Sequence, residues 1–161
     1  MKSMQDWFDE YAVSHQNKTN QFLHFICVPA IYFSIIGMLM SINPSFLTNT
    51  LGLENPLIEN WGTIVLIFIL VFYLRLSLKV FIKMLIFSIL CVVGNYYLGS
   101  YLPLLYTSLA IFAIAWIGQF YGHHLEGKKP SFFKDLQFLL IGPPWIFEKL
   151  TKVGLFSSSK F

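Results

Sequence analysis

His15 and His24 stand nine residues apart near one end of the sequence, and His123 and His124 stand side by side near the other; these are all the histidines present. Neutral imidazole suits iron, zinc, copper and nickel, whereas magnesium and calcium want mostly oxygen ligands. All four are therefore candidate metal ligands. Asn20 lies four residues before His24, and Glu126 three after His123, so each shares a helical face with its histidine. A carboxylate such as Glu126 is suited to orient the second nitrogen of a ligand imidazole. Asn20 and Glu126 are accordingly the polar candidates for a catalytic role. An unbroken helix would put His15 opposite His24, since successive residues turn about 100°. The interruption Asn17-Lys18-Thr19 lets the chain fold back, with Asn17 or Thr19 capping the next helix. His124 is the weakest candidate by geometry, because it points about 100° away from His123.

Helices in a membrane are the elements that must bring these groups together. The chain is 56% hydrophobic and only 12% charged, with a mean hydropathy of +0.64. Soluble domains are about 25% charged. Residues 21–42, about 62–79, 81–99 and 102–124 are long apolar runs, each near the roughly 20 residues that cross a bilayer. Residues 4–18 place Trp7, Phe8 and Tyr11 at helical spacing, with Asp6, Asp9 and Glu10 opposite. That pattern predicts an amphipathic helix at the membrane surface. The stretch 135–150, broken by Gly142-Pro143-Pro144, is too short to span and is expected to be interfacial or re-entrant. Residues 151–161 are expected to form a polar tail. The fold class is thus an all-α polytopic membrane protein in one domain, with about four transmembrane helices.

Charge placement agrees. Arg75, Lys79 and Lys83 fall between the second and third spans, and the remaining lysines lie before the first or after the fourth. All 11 basic residues therefore share one side of a four-span topology. The positive-inside rule makes that side cytoplasmic, along with both termini and all four histidines. A bacterial inner membrane or the endoplasmic reticulum is the expected setting. The acidic start lacks the basic segment and early apolar core of a secretory signal. Cys27 and Cys91 lack metal-site or disulfide spacing and are expected to be buried thiols. The basic residues track topology, so they give no support for a nucleic-acid partner.

Two motifs carry a resemblance. Trp7, Tyr11, His15, Asn20 and His24 form W-x3-Y-x3-H-x4-N-x3-H, followed by Val28-Pro29. Trp116, Gln119, Gly122, His123, Glu126, Gly127 and Pro130 form W-x2-Q-x2-G-H-x2-E-G-x2-P, continued by DLQFLLIGPPWIFE. Together they resemble the 2-hydroxy fatty acid dioxygenases related to the fungal protein that converts phytosphingosine to odd-numbered fatty acids. The resemblance implies an Fe²⁺-dependent enzyme that uses O₂ to shorten a 2-hydroxy fatty acid by one carbon in α-oxidation. It also implies iron held by His15, His24 and His123. The substrate's carboxylate and adjacent hydroxyl suit chelation of one metal, while the acyl tail stays among apolar spans. Lys18, Lys128 or Lys129 are candidates to steer the carboxylate, as are phospholipid headgroups to occupy them. One iron or two are both compatible with the residues.

Two other readings stand beside the enzyme. A b-type cytochrome would use histidines from two helices as axial ligands. A non-enzymatic lipid-binding protein would leave the histidines incidental. Transport is disfavoured because the spans hold little polar beyond Asn95 and a few hydroxyls.

Overall fold

The computed structural model describes residues 4–13, 15–125, 127 and 140–152. Among these, seven helices and no strands are present: α1 (Met4–Val13), α2 (Lys18–Met40), α3 (Ser45–Leu51), α4 (Trp61–Leu76), α5 (Leu78–Tyr101), α6 (Leu104–Leu125) and α7 (Gly142–Lys152). Helices α2, α5 and α6 are long and apolar enough to cross a membrane. Helix α4 is apolar but has 16 residues, about 24 Å at 1.5 Å per residue.

The burial pattern is inverted relative to a soluble bundle. Phe68 and Ile114 are 73% and 70% exposed, while Asn20, Ser34, Ser88, Asn95, Ser108 and Gln119 are buried. Lipid satisfies the outward apolar faces, and polar side chains are retained where helices can shield them. Helix α2 is the hub. Tyr32 and Ile36 pack with Leu66 and Tyr73 of α4 and with Met84, Cys91 and Val92 of α5. Cys27 and Ile31 pack with Ala115 and Trp116 of α6. The antiparallel α2–α6 seam is close because α6 presents glycine to it. A Cβ at Gly118 would stand 2.6 Å from Cys27 Sγ, and one at Gly122 would collide with Asn20 Oδ1. Pro29 withholds one backbone donor within α2, yet the helix runs through it.

Four helix ends meet at one pole. Tyr73, near the end of α4, donates its hydroxyl to Leu140 O at 2.6 Å. Lys83, near the start of α5, pairs with Glu148 of α7 at 2.9 Å. Lys149 of α7 donates to Gln21 Oε1 at the start of α2, at 2.8 Å. At the opposite pole, Trp61 Nε1 at the start of α4 donates to Asn43 O at 3.1 Å. Helix α4 is therefore tied at both poles despite its length.

Several boundaries differ from the sequence expectation. Gly99-Ser100-Tyr101, where one expected span gives way to the next, is helical, and α5 runs to Tyr101 with Leu102 as its C-cap before Pro103. Gly142-Pro143-Pro144 opens α7 instead of interrupting a segment; proline is tolerated in a first turn, whose N–H groups lack intrahelical acceptors. Helix α1 ends at Val13, and α3 forms between the first and second expected spans. Cys27 and Cys91 are buried and free.

Candidate metal centre

Helix α1 buries Phe8 and Tyr11 against Val28 of α2, Ile141 just before α7, and Trp145 and Ile146 of α7. That packing fixes the short coil that carries His15. Asn17 then caps α2, its side chain accepting from the backbone N–H of Thr19 at 2.8 Å and of Asn20 at 3.3 Å. Gln21 closes the corner by donating to His15 O at 2.6 Å. The chain thus reverses between His15 and His24, as the interruption in helical pattern predicted.

His15, His24 and His123 are 3%, 2% and 6% exposed. One ligand nitrogen from each lies within 4.8 Å of the others. The His24 and His123 rings are 5.0 Å apart at their centroids, and those of His15 and His123 5.5 Å. His15 Nε2 and His24 Nε2 are 3.2 Å apart. Two nitrogens bound to one metal at about 2.0–2.1 Å each, at angles between square and tetrahedral, would have a similar separation. With their Nε2 atoms 3.2 Å apart, the His15 and His24 rings as they stand leave no room for a porphyrin between them.

The tautomer of His15 follows from its partner. Its Nδ1 is 2.6 Å from Tyr11 O, and a carbonyl only accepts, so Nδ1 carries the proton. In the neutral ring Nε2 then offers a lone pair toward the other two histidines. Tyr11 also reaches His24: its hydroxyl lies 3.1 Å from His24 Nδ1. With His15 Nε2 unprotonated, His24 Nε2 donates to it and His24 Nδ1 accepts from the Tyr11 hydroxyl. The other tautomer of His24, donating from Nδ1 to that hydroxyl, would free a second Nε2 lone pair for a metal. Three imidazoles with this donor arrangement fit a borderline transition metal such as iron or zinc. Trp145 borders the group, its ring centroid 5.6 Å from His15 and 4.9 Å from Tyr11. Lys149 Nζ lies 4.5 Å from the Trp145 centroid, and desolvation lowers its pKa below the ordinary lysine value.

Of the other sequence candidates, Asn20 is fully buried on α2 against Gly122. His124 is exposed and outside the cluster, because one residue's rotation turns it off the α2-facing side of α6. Glu126, Lys128 and Lys129 lie outside the described residues, and Lys18 is exposed. Tyr11, part of the first motif, contacts two histidines, which the motif alone does not reveal. Its spacing of four residues before His15 was the available signal. Trp145, Lys149 and Gln21 gave none, because their relation to the cluster is purely tertiary.

These features define an all-helical protein with membrane-compatible spans and a buried three-histidine cluster at one pole. The family model for 2-hydroxy-palmitic acid dioxygenase Mpo1-like proteins matches residues 1–153, and the chain belongs to that family. No match was found among curated proteins or solved structures.

Proposed function

We propose that this protein is a membrane dioxygenase that shortens 2-hydroxy fatty acids by one carbon, with Fe²⁺ held by His15, His24 and His123. The observation that carries this reading is the convergence of three buried imidazoles, from the post-α1 coil, α2 and α6, with ligand atoms within 4.8 Å. Family membership supplies the substrate class. When bound, ferrous iron supplies coordination for the substrate's hydroxyl and carboxylate and a means of activating O₂. The overall conversion, R–CH(OH)–COOH + O₂ to R–COOH + CO₂ + H₂O, balances without an added reductant.

The protein's own groups perform definable tasks. Tyr11 O holds the proton of His15 on Nδ1 and leaves Nε2 as the ligand atom. The Tyr11 hydroxyl orients His24 from its Nδ1 side. Trp145 shields the His15 side of the cluster from water. The apolar outer faces of α5 and α6 keep the bundle in lipid, where the acyl tail of the substrate already resides. Because the sequence puts every basic residue on the histidine side of a four-span topology, the positive-inside rule makes that side cytoplasmic. Asn20 and Glu126 belong to the proposed catalytic surroundings. His124, exposed on α6, is not needed as a ligand.

The test is O₂ uptake by purified protein reloaded anaerobically with Fe²⁺ and given 2-hydroxypalmitate. Iron-dependent uptake with formation of the C15 acid is expected. Uptake without a shortened acid, or none, would contradict the reaction.

A further inference from the structure

One buried donor near the cluster remains unused. Gln119 is 4% exposed, and its Nε2 has no hydrogen-bond partner among the described residues. A buried amide N–H₂ left without an acceptor gives up its hydration for nothing in return, so packing alone gives no reason to retain glutamine. An isosteric methionine would fill the same space without that cost.

Its position suggests what the donor is for. Gln119 precedes His123 by four residues on α6, so both lie on the buried side facing α2. It sits about one turn, roughly 6 Å, further from the histidine pole. That is the side from which a molecule with its tail among the spans would present its head to the histidines. Gly118 and Gly122 bring α2 against α6 on either side of it. Among the described residues, the histidine group includes no carboxylate.

We propose that Gln119 is a substrate-binding residue whose Nε2 donates to a carboxylate oxygen of the long-chain acid as it lies against the histidine cluster. This rests on the dioxygenase reading for its substrate. A carboxylate is an acceptor-only group with lone pairs to spare after other contacts, and the hydrogen bond to it is charge-assisted. The buried, unpaired donor is then a feature of the ligand-free protein that substrate completes.

The experiment compares wild type, Gln119→Met and Gln119→Glu in lipid nanodiscs. It measures melting temperature without ligand, and affinity for 2-hydroxypalmitate and for hexadecane-1,2-diol, whose carboxylate is replaced by CH₂OH. Affinities are measured anaerobically, so no turnover is needed. Wild type is expected to prefer the acid. Gln119→Met should melt at or above wild type and bind the acid at least about tenfold more weakly, with diol binding little changed. Gln119→Glu should weaken the acid further by charge repulsion. A methionine variant that melts lower or fails to fold would make Gln119 structural and overturn the proposal. Unchanged preference for the acid in that variant would overturn it as well. Gln119-dependent acid binding in a protein that consumes no O₂ would retain this site and remove the dioxygenase reading. O₂ consumption with Gln119-independent binding would do the reverse.

Discussion

His15 Nε2 stands 3.2 Å from His24 Nε2, although nine residues and a helix break separate them. Tyr11 establishes this relationship by contacting His15 Nδ1 through its carbonyl and His24 Nδ1 through its hydroxyl. Tyr11→Phe retains the first contact and deletes the second. Outer partners of metal ligands are worth about 10–100-fold in metal affinity. The variant is expected to lose metal affinity within that range while keeping its fold. Competition against a chelator of known affinity measures the change, and unchanged affinity would remove Tyr11 from the account.

The α2–α6 seam predicts a different failure. Gly122→Ala places a methyl group where Asn20 Oδ1 lies, on a fully buried side chain with no room to retreat. Overpacking of this kind costs about 1–3 kcal/mol. The helices must part beside His123, so both melting temperature and metal retention should fall. Gly127→Ala is a useful contrast. Nothing crowds its Cβ, but φ is +69°, so only backbone strain of about 1 kcal/mol is expected. Metal analysis on both variants separates crowding from simple destabilisation.

Two ties at the histidine pole rank by their environment. Lys83 and Glu148 have side chains about one-third exposed, so Lys83→Ala should cost under about 1 kcal/mol. Tyr73 is fully buried, and Tyr73→Phe leaves Leu140 O without its donor. That loss should cost about 1–3 kcal/mol. Thermal melting of the two variants should show Tyr73→Phe as the more damaging. The opposite order would mean that α7 is held mainly by charge.

Much of this arrangement was legible in the sequence because lipid imposes strong patterns. The apolar runs identified α2, α4, α5 and α6, and the even number of passages placed His24 and His123 at one pole. A cap at Asn17 or Thr19 was recognisable from their place between an amphipathic and an apolar helix, and Asn17 is the one that caps α2. The start of α7 was not legible. Gly142-Pro143-Pro144 reads as a breaker until it is seen as a first turn buried against α1 and α2, with a Cβ at Gly142 falling 3.0 Å from Val28. The Lys149–Gln21 tie joins residues 128 positions apart, beyond any local pattern. The α5 terminus extended past Gly99 because glycine and serine are tolerated in a helix end when proline soon stops it.

The central claim is that three histidines, and not the fourth, hold the metal. Its most direct test is bound iron per chain after anaerobic loading and desalting, measured for wild type and for His15→Ala, His24→Ala, His123→Ala and His124→Ala, with folding of each checked by thermal melting. The account predicts stoichiometric iron in wild type and His124→Ala, and near-complete loss in the other three while they remain folded. Iron retained in any of those three, or lost from folded His124→Ala alone, would contradict it.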